Sequence, residues 1–251
     1  MQVHFAKDYE SKSSEILPVL ESFHSGGETI KDSRNKLKIF KLNGRDFNVK
    51  AFRVPNLVNK VVYRFFRKSK AQRSFEYASI LKTKGIGTPD PVAYAEEPQG
   101  LTFGRSFYVS EHLAYDLTFR ELVTEPEYPD HENILRAFTR FTYKLHQNQV
   151  QFLDHSPGNT LIIRNGDAYD FYLVDLNRMN FKELTFEERM LNFSRLTPKK
   201  EMIEVMADEY SKLIDKSKTE VFEKMWFYTN QFQEKFHRKK RLKKKLKFWK
   251  K

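Results

Sequence analysis

The sequence predicts an α+β protein of two lobes, a β-rich first lobe with one main helix and a mainly α second lobe. Apolar runs of strand length, separated by turn residues, dominate the first part of the chain. A single helical pattern interrupts them. After the junction, placed near Glu111 to Tyr115, helical periodicity prevails apart from one hairpin.

The first lobe is predicted to contain two strands, LKIFKL and FNVKAFRV, joined by the turn sequence NGRD. From about Ser69 to Lys84, apolar residues recur at helical spacing, and Gly85 follows as a stop signal. The segments TPDPVAYAEE and RSFYVSEHL read as two further strands. These elements predict a sheet with a helix packed on it.

The second lobe is predicted to start with two helices between about Thr118 and Val150, broken by EPEYPD. The hairpin follows, with strands at Thr160 to Arg164 and about Tyr169 to Val174 around NGDA. The TFEE sequence at Thr185 has the capping-box pattern and opens a helix-rich final part. We therefore expect lobes at residues 1–113 and 114–237 and a basic tail at 238–251.

The composition indicates a folded protein and is compatible with a reducing compartment. The hydrophobic fraction is 39%, aromatic residues make up 15%, and there is no cysteine, which excludes disulfides and thiolate metal sites. The first residues lack the charged start and apolar stretch of a signal peptide, and no run reaches the roughly 18 apolar residues of a membrane-spanning helix. We expect a cytoplasmic location.

Most of the formal net charge of +12 comes from the tail, where residues 238–251 carry ten Lys or Arg and no acid. In this tail Leu242, Leu246 and Trp249 share one helical face. Such a helix suits the anionic surface of a membrane. A disordered solubilising tail is the alternative, and nucleic acid is not the expected partner because the rest of the chain is nearly balanced in charge.

A second basic segment, NKVVYRFFRKSKAQR, could contact an acidic saccharide, RNA or only solvent. Oligomeric state is not predicted.

The segment FLDHSPGN, followed by the hairpin and LVDLN, is the strongest functional pattern. In a hairpin, the residue before the first strand lies beside the residue after the second, which predicts that Asn159 approaches Asp175. An amide oxygen and a carboxylate form the hard-oxygen site that Mg²⁺ prefers. Asp154, slightly upstream, could accept the proton of an attacking hydroxyl. Taken singly, Asp154 and Asp175 are more often residues that cap turns and Asn159 a turn residue at the start of a strand; the joint spacing favours the functional interpretation.

FLDHSPGNTLI and LVDLNRM resemble the catalytic and metal-binding loops of the protein-kinase-like fold, and in particular those of bacterial lipopolysaccharide core kinases that phosphorylate Kdo or heptose. VKAF, SKAQRSFEYA and GIGTPDPVAY extend the resemblance over about residues 35–200. It implies ATP and Mg²⁺ as cofactors. It also implies the following roles: Lys50 on ATP phosphates, Glu76 paired with Lys50, Glu111 at the nucleotide, Asp154 as catalytic base, and Asn159 and Asp175 on the metal.

The chain departs from that family pattern in three places, one of which is Asp175-Leu176-Asn177 in place of D-F-G. Phe152 replaces the usual histidine before the catalytic Asp, and SGGETIKDSRNKLKIF contains two glycines but no G-x-G-x-x-G. A pseudokinase-like module that docks a partner at the membrane is therefore the alternative function. Lys50 and Glu76 could also be an exposed strand lysine and a solvated helix glutamate.

The acceptor is expected to be small or a saccharide. Only about ten residues separate Asp175 from the capped helix at Thr185, too few for a peptide-docking segment. His155, Ser156 and Arg178 are the candidate substrate contacts, although His155 could be solvated and Arg178 could pair with a local acid. We expect a lipid-linked saccharide acceptor at the inner face of the cytoplasmic membrane, with another small-molecule or protein acceptor as the alternative.

Overall fold

The structure is a computed structural model that describes residues 1–33, 35–53, 68–99 and 102–248. The chain divides into two compact units. The first comprises the residues up to Ala114 together with Leu173–Asn177, and the second comprises Tyr115–Tyr172 and the residues from Arg178 onward. The return of a five-residue segment to the first unit was not anticipated from the sequence, which placed that segment wholly in the second lobe.

The first unit is built on a six-stranded sheet in which every neighbouring pair is antiparallel, in the order β1-β5-β6-β4-β3-β2. Its strands are β1 (Gln2–Phe5), β2 (Glu28–Asp32), β3 (Lys36–Leu42), β4 (Arg45–Phe52), β5 (Pro91–Gln99) and β6 (Thr102–Glu111). The helices of this unit are α1 (Ser13–Glu21) and α2 (Lys70–Thr83). The four strands and the helix predicted from the sequence are confirmed, whereas β1, β2 and α1 were not predicted.

Local chemistry explains the predicted elements of the first unit. Asn43 (φ 50°) and Gly44 (φ 76°) form the two-residue turn between β3 and β4, because both adopt the left-handed conformation that this turn requires. The Ser69 side chain accepts a hydrogen bond from the Gln72 amide at 3.0 Å and so caps the start of α2. Gly85, at φ 64°, ends that helix. The core packs Phe23 edge-on to Phe107.

The second unit combines two small sheets with a helical core. Its strands are β7 (Leu117–Thr118), β8 (Val150–Phe152), β9 (Thr160–Asn165), β10 (Ala168–Leu173) and β11 (Met179–Phe181). Its helices are α3 (Phe119–Thr124), α4 (His131–Gln147), α5 (Phe186–Asn192), α6 (Lys200–Ser211) and α7 (Lys218–Phe248). The sheets have the orders β10-β9-β7 and β11-β8. The α+β class is therefore confirmed.

The predicted hairpin and capping box of this unit are present. Strands β9 and β10 are neighbours joined at Gly166 (φ 60°) and Asp167, and so short a connection makes them antiparallel. Thr185 and Glu188 cap α5 reciprocally. The apolar faces of α4, α6 and α7 bury a core that includes Phe138 and Tyr210. The short strands β8 and β11 were not predicted.

Helix α7 carries the basic tail. Its side chains are exposed from Glu234 to Lys245, and Leu242 is 54% exposed. The side chain of Leu246 and all of Trp249 lie outside the described residues, as do residues 59–67 of the second basic segment. In the part of the chain that is described, no helix combines the length and apolarity needed to cross a membrane.

Candidate active site

The loop from Asp154 to Asn159 is held at both ends by backbone hydrogen bonds. It follows β8, which pairs with β11, and the Leu153 amide donates to the Arg178 carbonyl at 3.1 Å. At the far end, the Asn159 amide donates to the Ser156 carbonyl at 2.9 Å. The Asn159 side chain closes the loop, because its Nδ2 donates to the Asp154 carbonyl at 2.8 Å.

The closure of the loop joins Asp154, the predicted base, to Asn159, a predicted metal ligand. Asn159 uses its Nδ2 within the loop, and its Oδ1 has no hydrogen-bond partner among the described residues. The amide oxygen is therefore available to a ligand outside the loop. Asp154 and Asn159 are thus fixed relative to each other by a contact of one side chain.

The Asp154 carboxylate is bound by an arginine from outside the loop. Arg195 Nη2 lies 2.8 Å from Asp154 Oδ1, and Arg195 Nη1 donates to the Leu153 carbonyl at 3.2 Å. The guanidinium lies over the ring of Phe232 on α7, at 5.4 Å from its centroid. Oδ2 of Asp154 forms no hydrogen bond with the residues described. One carboxylate oxygen is held by the arginine, and the other is open to a ligand.

Phe152, which replaces the expected histidine, is fully buried, and a neighbouring network holds its backbone. Asn192 Nδ2 donates to the Phe152 carbonyl at 2.7 Å, and Asn192 Oδ1 lies 3.1 Å from His146 Nε2. The Tyr210 hydroxyl lies 2.8 Å from His146 Nδ1. These contacts assign the proton of His146 to Nε2, with Tyr210 as donor to Nδ1. Burial lowers the pKa of His146 to about 4.

His155 was expected as a substrate contact or a solvated side chain, and both expectations are wrong. Its side chain is buried, with its ring centroid 5.3 Å from that of Phe138 and 5.7 Å from that of Phe152. Neither ring nitrogen has a hydrogen-bond partner among the described residues. Burial, with a smaller contribution from the charge of His146, lowers the pKa of His155 to about 3. The imidazole therefore serves as a neutral core side chain beneath the loop.

Asp175 belongs to the first unit and has an unusual backbone. Its φ of 61° lies in the left-handed region, which is rare for residues other than glycine and is enriched at functional sites. Two hydrogen bonds fix the preceding Leu173: its amide donates to the Gly87 carbonyl at 2.8 Å, and Thr88 Oγ1 donates to its carbonyl at 2.9 Å. Asn177 Nδ2 donates to Asp175 Oδ1 at 2.6 Å.

Lys50 pairs with Asp175 and not with Glu76, so the expected Lys50–Glu76 ion pair is not formed. Lys50 Nζ lies 2.7 Å from Asp175 Oδ1. Glu76 is instead bound by Lys68, at 2.8 Å, and by Gln72, at 3.0 Å. The physical reason is local competition, since Lys68 lies just before α2 and reaches the Glu76 carboxylate along the helix surface.

Glu111 has its carboxylate engaged within the first unit. Its Oε1 accepts a hydrogen bond from the Tyr9 hydroxyl at 2.7 Å and lies 3.3 Å from Arg45 Nη1. Its amide donates to the Asp90 carbonyl at 2.9 Å. Burial, together with the contact to Glu111, raises the pKa of Tyr9. A nucleotide role for Glu111 stays a prediction, and the carboxylate has a structural role that the sequence did not indicate.

Ser156 and Arg178, the remaining candidate substrate contacts, are both accessible. Ser156 is half-buried at the start of the short turn Pro157–Asn159. Arg178 is exposed, and its side chain forms no ion pair with any acid of the described residues. The sequence left open an ion pair between Arg178 and a local acid, and that part of the chain contains no such pair. Both substrate roles stay predictions.

The two glycines of the irregular phosphate-loop sequence precede β2. Gly27, at φ 74°, forms the turn before that strand, and a Cβ there would lie 2.7 Å from the ring of Phe40. Strand β2 begins at Glu28, directly after Gly27. The two glycines therefore serve the packing of the turn before β2.

The comparisons with known proteins place this site in a family. Residues 35–216 match the lipopolysaccharide kinase (Kdo/WaaP) family. The chain belongs to this family. A solved structure described as WaaP in complex with acyl carrier protein matches with a TM-score of 0.64 and 16% identity, over 94% of this chain and 99% of that one. No curated protein matches the sequence.

Membership of the lipopolysaccharide kinase (Kdo/WaaP) family identifies the activity in coarse terms. Its members are kinases, so the chain is a phosphotransferase with an alcohol group as acceptor. The resemblance stated from the catalytic and metal-binding loops is confirmed, as is the kinase-like fold. Asp154, Asn159 and Asp175 lie inside the matched segment.

The free oxygens of Asn159 and Asp175 are of the type that Mg²⁺ binds. Asn159 Oδ1 is free, and Asp175 retains Oδ2 while its Oδ1 is held by Lys50 and Asn177. Within the described ranges, no group of three or more His, Asp or Glu could hold a metal by itself. Two protein oxygens suit Mg²⁺, which takes its remaining ligands from water and phosphate. Because Asn159 and Asp175 belong to different units, their predicted approach stays a prediction.

Several residues of this site were not predicted from the sequence. Arg195 contacts Asp154, Asn192 holds the Phe152 carbonyl before the loop, His146 contacts Asn192, and Arg120 lies against Gly158. The position of His146 on the apolar face of the predicted helix α4 could have indicated that it is buried near this site. For Arg195 no local pattern exists, because it lies 42 positions from Leu153 along the chain.

Proposed function

We propose that this kinase transfers the γ-phosphoryl group of ATP to a sugar hydroxyl of a lipopolysaccharide core, on Kdo or heptose, at the inner face of the cytoplasmic membrane. The family match over residues 35–216 supports the lipopolysaccharide acceptor. The observation that carries the chemistry is the hydrogen bond from Asn159 Nδ2 to the Asp154 carbonyl, at 2.8 Å. It couples the position of the proposed metal amide to that of the proposed base.

Asp154 is proposed to orient the acceptor hydroxyl and take its proton. Its Oδ1 is held by Arg195, which leaves Oδ2 for the hydroxyl. As the bond between the acceptor oxygen and the γ-phosphorus forms, the bond from that phosphorus to the bridging oxygen of ADP breaks, and the proton passes to Asp154. In phosphoryl transfer, orientation of the nucleophile matters more than strong basicity, so an arginine on the base is compatible with this role.

Lys50, Asn159 and Asp175 are proposed to hold the nucleotide and its metal. Lys50 would contact phosphate oxygens, and Asn159 Oδ1 and Asp175 Oδ2 would bind Mg²⁺, which neutralises triphosphate charge when bound. Lys50 and Asp175 pair with each other at 2.7 Å. Before the nucleotide and the metal bind, the charges of Lys50 and Asp175 thus neutralise each other.

The segment after Asp175 supports a saccharide acceptor. It contains only the short strand β11 before α5 begins at Phe186. Arg178, exposed and without an acid partner in the described chain, is proposed to contact an anionic group of the acceptor, with Ser156 as a second polar contact. Such a short segment offers little surface on which a peptide could dock.

The basic end of α7 is proposed to bind the membrane. The exposed residues from Arg238 to Lys245 carry no acid, and each Lys or Arg near an anionic leaflet contributes about 1 kcal/mol. Leu242 is exposed among them and would insert at the headgroup level. In flotation assays, the full chain is expected to bind vesicles that contain phosphatidylglycerol and to dissociate at high salt. Replacement of Lys243, Lys244 and Lys245 by Gln should weaken binding; equal flotation with neutral vesicles would refute the electrostatic anchor.

The function is tested with lipopolysaccharide as acceptor. Mass spectrometry of lipopolysaccharide from cells with and without the gene should show one phosphate lost from the core. Purified protein with Mg-ATP should restore the phosphate, detected by ³¹P NMR, and Asp154→Asn should not. A core with unchanged phosphate content, together with no transfer in vitro, would reject the lipopolysaccharide acceptor.

A further inference from the structure

An arginine that the proposed mechanism does not use lies directly against the catalytic loop. A Cβ built on Gly158 would lie 2.6 Å from Arg120 Nη2, 3.5 Å from its Cζ and 3.6 Å from its Nε. The guanidinium therefore contacts the loop where only a glycine leaves space for it. Gly158 adjoins Asn159, whose side chain is bound to Asp154.

The start of α3 fixes the direction of Arg120. Thr118 and Glu121 form a capping box, in which the Thr118 amide donates to Glu121 Oε2 at 2.8 Å. Phe119 and Leu122 are fully buried on the core side. Arg120 lies between them on the opposite side, exposed, and α3 packs against the turn that contains Gly158. The position of the Arg120 backbone beside the loop thus follows from a capped and packed helix start.

Arg120 forms no close ion pair within the described part of the protein, and its charge acts on the adjacent Glu121 only over a longer distance. No carboxylate of those residues lies within ion-pair distance of it, and the adjacent Glu121 uses its carboxylate in the helix cap. Arg178, at the other end of the loop, is likewise exposed without an acid partner there. The one acid on this loop, Asp154, is already paired with Arg195.

We propose that Arg120 forms an anion subsite on the catalytic loop that holds a carboxylate or phosphate of the acceptor beside Asp154. This inference rests on the proposed function and adds a recognition element to it. A guanidinium binds such groups with two parallel hydrogen bonds, which fixes orientation as well as position. The subsite would favour an acidic acceptor sugar over a neutral one. The alternative source of the anion is the phosphate chain of the nucleotide.

The test compares a methyl glycoside of Kdo with its carboxamide, which lacks the negative charge. The wild-type protein should prefer the acid in kcat/KM by about ten- to a hundredfold, the range for a charge-assisted hydrogen bond. Arg120→Gln should bring the ratio of acid to amide close to one. Gly158→Ala, which displaces the guanidinium without removing it, should lower the same ratio. Arg164→Gln removes an arginine that lies over Tyr128, 5.6 Å from its ring centroid, and should keep the wild-type ratio.

Two results would overturn the subsite. One is that Arg120→Gln lowers kcat/KM equally for the acid and the amide. The other is that it raises the KM for ATP and leaves the ratio of acid to amide unchanged, which would assign the anion to the nucleotide. If the wild-type protein phosphorylates neither glycoside, the proposed acceptor class fails separately. Binding of the acid by saturation-transfer NMR then decides: a signal lost in Arg120→Gln supports the subsite, and an unchanged or absent signal rejects it.

Discussion

Arg195 binds Asp154 from outside the catalytic loop, with Nη2 2.8 Å from Oδ1, and also donates to the carbonyl of the preceding Leu153. The arginine thereby holds both the side chain and the backbone at the position of the proposed base. Its own position is fixed by the ring of Phe232. A residue between α5 and α6 thus takes part in orienting a carboxylate that follows β8.

Removal of Arg195 is expected to slow transfer more than it weakens substrate binding. Arg195→Ala should lower kcat by about ten- to a hundredfold, since one charge-assisted hydrogen bond is worth roughly 1.5–3 kcal/mol. The KM for ATP should change little. Added guanidinium chloride at low concentration should restore part of the rate, because the small cation can occupy the vacated position. Steady-state kinetics on the lipopolysaccharide acceptor measures all three effects.

Arg140→Ala is the matched control for that variant. It removes an arginine bound to Glu209 in the same unit and should retain the wild-type kcat. An equal loss of rate in the two variants, or no guanidinium rescue, would mean that Arg195 acts only through stability.

The backbone of Asp175 should make Asn the gentler substitution at this position. Asp175 has a φ of 61°. Asn tolerates this left-handed conformation, whereas for Ala it costs roughly 1–2 kcal/mol. Both variants leave Lys50 without its carboxylate partner. Asp175→Ala should therefore melt at a lower temperature than Asp175→Asn in calorimetry. Both should lose magnesium-dependent binding of ATP, and retention of that binding would contradict the metal assignment.

Two buried histidines should make the protein sensitive to acid. The pKa of His146 is about 4 and that of His155 about 3 in the folded state, against 6.5 for an unperturbed imidazole. Between pH 6.5 and about 4 the unfolded chain therefore binds protons that the folded chain excludes, so stability is full above pH 6.5 and falls as the pH decreases. At pH 5.5 the expected loss is about 1.4 kcal/mol for each histidine.

His155→Leu tests this dependence, because the imidazole forms no hydrogen bond with the described residues. Thermal unfolding at pH 7.5 and at pH 5.5 should show a smaller decrease for the variant than for the wild-type protein. An identical decrease for the two proteins would exclude His155 as a source of the acid sensitivity.

Asn192 should be important for the order of the catalytic loop. Asn192→Ala removes the donor to the Phe152 carbonyl and the acceptor of His146. Two buried polar groups then lack partners, at about 1–3 kcal/mol each. Chemical denaturation should report the loss, and hydrogen exchange should become faster in residues 150–160. Unchanged exchange there would show that the network does not support the loop.

The sequence predicted those elements whose causes are local. The turn at Asn43 and Gly44, the cap at Ser69 and the capping box at Thr185 each depend on residues within a few positions. The strand β2 was not predicted because its side chains are all exposed and show no alternation of apolar residues. Strands β8 and β11 are three residues long and too short for any periodic pattern.

The candidate site was predicted only in part, because sequence patterns do not select among competing partners. Lys50 and Glu76 both lie where the resemblance placed them, yet Lys50 contacts Asp175 and Glu76 contacts Lys68. His155 looked polar by its neighbours in sequence, whereas its surroundings in space are the rings of Phe138 and Phe152. The contact of Lys50 with Asp175 and the packing of His155 against Phe138 join distant segments, which local patterns do not reveal.

The exposed end of α7 has a consequence for how this chain responds to its surroundings. From Glu234 to Phe248 the helix spans about fifteen residues, roughly 22 Å, without packing of its described side chains to support it. Only its continuity with the packed first part of α7 supports this segment, and repulsion among neighbouring lysines opposes its helical form. The helix content of this segment should therefore depend on the counterions or polyanions around the protein. Far-ultraviolet circular dichroism should detect that dependence directly.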